Sequence, residues 1–170
     1  NNFKSLLSLI PHIYTNDFAT IETKGNFSFS SNFKGIYNDN NLPAYNLSLL
    51  VDDCSFNYPE LPKSVDNINI DLSINNTNGV IDNTKVNLSR FHVELGGNPI
   101  DFNLKLNNPL SNPYFKGGVQ GKVNFESIAD IIPLEGTSIS GLLIVNTNFE
   151  GDMATLEAGA YDKFKAKGSL

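Results

Sequence analysis

The chain has 170 residues, a formal net charge of -6 and 18% charged residues, below the roughly 25% usual in soluble domains. An acidic chain with dispersed lysines offers no basic stripe for phosphates, which argues against nucleic acid. The single cysteine, Cys54, excludes an internal disulfide and a cysteine-based zinc site, and no apolar run of about 18 residues predicts a membrane-spanning helix.

In chain order, a short helix is predicted over 3–10, with Phe3, Leu6, Leu7 and Ile10 at helical spacing before Pro11. It reads as an ordinary core helix. From 21 to 125 the pattern switches to period 2. Phe27 and Phe29 interleave with Asn26, Ser28 and Ser30; Leu47, Leu49 and Val51 with Asn46 and Ser48. Ile68, Ile70, Leu72 and Ile74 alternate with Asn67, Asn69, Asp71 and Ser73, and Ile100, Phe102, Leu104 and Leu106 with Asp101, Asn103, Lys105 and Asn107. Further strands are predicted over 86–95 and 117–125, the second with Val119, Gly121, Val123 and Phe125 on one face. Each run has one apolar and one wet face, the pattern of antiparallel sheet.

A second helix is predicted over 127–132, capped by Ser127, carrying Ile128, Ile131 and Ile132, and stopped by Pro133. Strands resume over 139–170. Leu142 to Val145 are apolar at every position, which predicts cover on both faces; helix is the expectation over Ala158–Phe164. Turn chemistry falls at Asn38–Asn41, Asn75–Gly79, Gly96–Pro99 and Asn107–Pro113, and Pro59 and Pro62 predict an extended break. A weak repeat pairs Gly25…Asn32-Phe33-Lys34-Gly35 with Gly141…Asn148-Phe149-Glu150-Gly151. The absence of an initiator Met and a C-terminal KFKAKGSL that breaks off in mid-strand predict one β-rich section, 1–170, of a larger polypeptide.

Chemistry-bearing constellations are scarce. His12 and His92 are far apart and lack metal-ligand spacing; His92, opposite Phe91, Val93 and Leu95 and beside Glu94, reads as a solvated strand histidine. Cys54 follows Asp52 and Asp53, whose charge opposes a thiolate. Adjacent strand residues point to opposite faces, so Asp52 and Asp53 are poorly placed to share a site. Asn38–Asn41 lacks the glycine and distal glutamate of a calcium loop. Phe56, Tyr58 and Tyr45 could stack sugars, a poor signal without any Trp. The 25 asparagines make N-x-[ST] triplets at Asn26, Asn46, Asn75 and Asn87 expected by chance. No catalytic residue, metal site or cofactor is predicted, and the expectation is a protein that is not an enzyme.

One segment carries more. Pro109-Leu110-Ser111-Asn112-Pro113 leads into Gly117-x-x-x-Gly121, an alternating strand and the short apolar stretch before Pro133. That order resembles the C-terminal region of the bacterial AsmA-like family. The string from Pro43 through Val65, PAYNLSLLVDDCSFNYPELPKSV, is similar to the version found in Bacteroidetes, as are Leu88–Pro99 and Tyr161–Phe164. The family's N-terminal membrane helix has no counterpart here.

The resemblance implies a periplasmic section of an inner-membrane-anchored protein, with membrane contact through parts outside this chain. It also implies a hydrophobic β-groove that moves phospholipid or another acyl-chain lipid during outer-membrane assembly, with envelope assembly proteins as partners. The expected fold is mainly β: a long antiparallel curved sheet, an open groove or half-barrel, with two or three short helices. The groove or core residues are Phe27, Phe29, Leu47, Leu49, Val51, Ile68, Ile70, Leu72, Ile74, Phe102, Leu104, Val123, Phe125, Leu143 and Val145. The same alternation would equally build the filled core of a carbohydrate- or protein-binding β-sandwich, and periodicity does not separate the two.

Overall fold

The computed structural model describes residues 21–38, 42–59, 62–128, 130–131 and 139–169. The predicted helix over 3–10 and most of the Asn38–Asn41 turn lie outside them. The described chain is one eight-stranded antiparallel sheet, open and curled, in which spatial order equals chain order. Its strands are β1 (Glu22–Lys34), β2 (Ala44–Asn57), β3 (Val65–Asn76), β4 (Lys85–Leu95), β5 (Asn98–Asn107), β6 (Tyr114–Asn124), β7 (Leu142–Asp152) and β8 (Lys165–Ser169). No second sheet forms among the described residues, so the sandwich alternative does not describe this architecture.

Turn chemistry explains the meander. Gly96 and Gly97 both take positive φ in the two-residue link between β4 and β5, the conformation such a hairpin demands. The link between β3 and β4 is organised by a buried side chain. Asn76 donates through Nδ2 to the Val80 carbonyl (2.7 Å) and to Thr84 Oγ1 (2.9 Å), and its Oδ1 accepts from the Gly79 (2.6 Å) and Asn78 (3.2 Å) amides. Tyr45 Oη extends the network to Thr84 at 2.9 Å. Asn76 is 0% exposed, so removing its amide leaves several groups desolvated without partners. Asn76→Ala is expected to lower stability by about 2–3 kcal/mol, read as a lower urea midpoint with an unchanged slope.

The Pro109–Pro113 motif is a structural clamp. Asp82, in the short 3-10 turn Ile81–Asn83, accepts from the Ser111 amide (2.8 Å), the Leu110 amide (3.1 Å) and Ser111 Oγ (2.6 Å). These bonds hold the Asp82 carboxyl below its ordinary value. On the other side, Asn112 Oδ1 accepts from the Ala154 amide (3.0 Å), and Met153 N donates to the Pro113 carbonyl (2.9 Å). The motif thus ties the links before β4 and after β7 to the β5–β6 turn.

Several expectations are corrected. The second helix is a 3-10 turn, Phe125–Ile128, begun by Asn124 rather than Ser127, since Asn124 Oδ1 accepts from the Glu126 amide at 3.1 Å. β6 therefore ends before Phe125. Residue 132 lies outside the described residues. The last helix is α1 (Met153–Glu157), not Ala158–Phe164, because Asp152 caps it, accepting from the Thr155 amide at 2.9 Å. Leu142 and Ile144 are 56% and 55% exposed: no described residue covers the outer face of β7, so it is not sealed on both sides.

Asp52 and Asp53 do not alternate either. Val51 pairs with Ile70 and Cys54 with Ile68, so both aspartates lie in a bulge and both are exposed. Asp53 takes φ 46°, and its amide donates to Asn69 Oδ1 at 3.3 Å. Further register shifts fall between Asp66 and Asn69 and between Leu88 and Phe91. Bulges of this kind raise local twist and bend a strand, which is how the sheet curls.

Candidate functional site

The register aligns apolar side chains into rows that cross the sheet. One row runs Phe27, Val51, Ile70, Phe91, Phe102 and Val119. The next runs Phe29, Leu49, Leu72, Leu88, Leu104, Gly117 and Phe149. A third joins Leu47, Ile74, Val86, Leu106 and Phe115. Ile68 opposes Cys54, Val145 opposes Gly121 and Leu143 opposes Val123. Fourteen of the fifteen predicted residues therefore share one face, and Phe125 alone is displaced into the turn that follows β6. The opposite face carries Ser28, Ser48, Asp71, Ser73, Asp101, Asn103, Lys105, Lys116 and Lys122, all exposed.

The two ends of the apolar face differ. At one end Val51, Cys54, Val65, Ile68 and Val93 are buried with Ile131, which is 1% exposed. Ile131 reaches them because Lys63 holds the segment after β6: its amide donates to the Asp130 carbonyl (2.9 Å), and its Nζ pairs with Asp130 Oδ2 (2.8 Å) and donates to Ser127 Oγ (3.3 Å). That end is a filled core. Toward the other end Leu47, Leu72, Ile74, Leu88, Leu104 and Leu106 are only half-buried, and Phe29 is 54% exposed. There the curled sheet is an open apolar trough.

From the predicted Phe102, an aromatic series of Phe149, Phe115 and Phe164, which the periodicity did not single out, lines the β5–β8 side. Phe102 and Phe149 have ring centroids 6.4 Å apart, Phe149 and Phe115 6.1 Å, and Phe115 and Phe164 6.0 Å. The available signal was the Asn148-Phe149-Glu150-Gly151 string: a side chain added at Gly151 would strike the Phe164 ring. Beside it, Glu150 lies 3.1 Å from Lys116 Nζ and 3.2 Å from Lys165 Nζ. The hydrogen bonds from Lys116, then Tyr114 and Lys165, hold its carboxyl down to about 2, from an ordinary 4.5. A depressed carboxyl pKa adds stability that is complete above the unfolded value and lost as pH falls through the folded one. Acid titration should therefore destabilise the native chain between about pH 4.5 and 2, and Glu150→Gln should flatten that part of the stability profile.

The remaining candidates are structural. His92 lies on the wet face, partly buried: its side chain is 20% exposed and its Nδ1 lies 2.8 Å from Asp101 Oδ1 on β5. Burial, then the charges of Asp53 and Asp52, push the Cys54 thiol up, while its Sγ donates to the Asn26 carbonyl (3.3 Å). Phe56 packs against the core and Tyr45 is bound to Thr84. Among the described residues, no group of three or more His, Cys, Asp or Glu could hold a metal ion, and no helix is long and apolar enough to cross a membrane. No protein-family model, curated protein or solved structure matches this chain.

Proposed function

We propose that this chain is a non-catalytic, periplasmic section of an AsmA-like protein anchored in a bacterial inner membrane, and that its trough carries acyl-chain lipid toward the outer membrane. The observation that supports this most is the set of unbroken cross-strand rows, led by Phe29, Leu49, Leu72, Leu88 and Leu104, left half-exposed on one face of a curled sheet. A monomeric sheet seldom leaves so continuous an apolar strip in water without a ligand for it. Such a trough measures chain width and little else, so it discriminates weakly among lipids. Transfer along it needs neither bond making nor a cofactor.

The test places a photo-crosslinking residue at Leu72 or Leu104 in the full-length protein, in cells, with Asp71 and Lys105 as outward neighbours. Phospholipid adducts at the first pair and not at the second are the expected result. Empty Leu72 and Leu104 sites in a well-folded protein would overturn the proposal and make this face a surface for another macromolecule.

A further inference from the structure

The trough has a chemically distinct rim at β6–β8. An open pocket of about 590 Å³ there is lined by Gly117, Phe149 and Phe164 together with Lys116, Lys165, Lys167 and Glu150, whose carboxylate pairs with Lys116 and Lys165. Phe149 lies on the apolar face and the three lysines alternate with it on the other. The two sets meet in one pocket where β8, only five residues long, ends the sheet. Phe149 reaches over the sheet because Gly117 has no side chain: a Cβ there would meet Phe149 Cζ at 2.9 Å. The apolar side of the rim is continuous with the rows above, since Phe149 contacts both Phe102 and Phe115.

Its charge is out of keeping with the rest of the chain. Lys105 sits directly opposite Lys116, Lys116 opposite Glu150, and Glu150 opposite Lys165. Lys167 follows on the same strand, opposite Asn148. Lys105, Lys116, Lys165 and Lys167 therefore surround Glu150 on adjoining strands in a chain whose net charge is -6. Two lysines directly opposite each other across a strand pair destabilise a sheet. Glu150 offsets that penalty at Lys116 and Lys165, whereas Lys105 and Lys167 make no ion pair among the described residues, so the cluster keeps an excess of positive charge for an anionic head to meet.

We infer that the β6–β8 rim is a seat for an amphiphile with an anionic head, its acyl tail turned over the edge onto Phe149 and Phe164 and its head among Lys116, Lys165 and Lys167. This rests on the reading of the trough as a lipid carrier and adds a place where the head is held. It also predicts a preference, since a trough alone is indifferent to charge whereas this rim favours carboxylate- or phosphate-headed lipids over uncharged ones.

The experiment uses the whole chain and two probes, a long-chain fatty acid with a fluorophore at its tail and the corresponding alcohol, titrated with and without inorganic phosphate. The carboxylate is expected to bind roughly tenfold more tightly than the alcohol, about what one or two screened charge pairs supply. That preference should vanish in the Lys116→Gln, Lys165→Gln, Lys167→Gln variant, whose changes are all at exposed positions. Inorganic phosphate should displace neither probe at matched concentration. Equal binding of both probes, a preference that survives in the triple variant, or displacement by free phosphate would overturn the inference. Lipid adducts at Leu72 and Leu104 distinguish the two readings: if they form while the preference is absent, only the head site falls. If they are absent as well, the carrier reading falls with it.

Discussion

Gly79→Ala is expected to be among the most destabilising single substitutions in this chain, lowering stability by roughly 2–5 kcal/mol. Gly79 holds φ +77°, and a Cβ there would fall inside the van der Waals envelope of the Leu42 carbonyl oxygen. Two costs therefore add. A left-handed backbone disfavours any L side chain by roughly 1–2 kcal/mol, and overpacking against a neighbour that cannot yield typically costs about 1–3 kcal/mol more. The neighbour is backbone, so rotamer adjustment offers no relief. Gly97→Ala separates the two costs, because Gly97 has φ +82° and a Cβ added there would meet nothing within 4 Å. Urea unfolding of both variants should show the smaller loss at Gly97 and the larger at Gly79. Equal losses would mean that the approach of Leu42 to the β3–β4 link contributes nothing. The same link is held by Asn76 at the end of β3, whose Oδ1 accepts from the Gly79 amide at 2.6 Å, so the Asn76 and Gly79 substitutions should not be additive.

What the sequence makes legible here is what depends on period and turn chemistry. Alternation at Ile68, Ile70, Leu72 and Ile74, and at Ile100, Phe102, Leu104 and Leu106, requires one buried and one wet face wherever the strands pair. Asn- and Gly-rich links leave hairpins as the natural connection. The bulge at Asp52–Asp53 was not legible, because an extra residue looks the same in sequence as a regular one until its partner strand is known. That insertion turned an expected pair of opposed carboxylates into two exposed ones and brought Cys54 back onto the apolar face. The clamp at Pro109–Pro113 was recognisable as a motif, but its partners, Asp82 and Asp152 with the start of α1, are distant in sequence. Whether the apolar face is filled or open was beyond periodicity for a related reason. It is filled where Lys63 anchors Asp130 and Ile131, and open where no described segment crosses it.

That division locates the substitution with the largest expected functional effect. Phe102 lies in the row between Phe91 and Val119, and its ring is 6.4 Å from that of Phe149, at the passage from the filled end to the open one. Phe102→Asp places a carboxylate where an acyl chain would have to pass. Neither the chain nor the surrounding rings can solvate it, and an unpaired charge in apolar surroundings is far more costly than a missing contact. Phospholipid adducts at Leu104 should fall at least about tenfold, the equivalent of roughly 1.4 kcal/mol, with expression retained because Phe102 is only half-buried. Phe102→Ala removes the same ring contact without adding charge. It is expected to lower stability by about 2 kcal/mol, part of the range for a fully buried ring, and to leave the adducts in place. Loss of adducts in both variants would trace the effect to packing at Phe149 rather than to charge in the trough, while full adducts in Phe102→Asp would mean that lipid reaches Leu104 without passing Phe102.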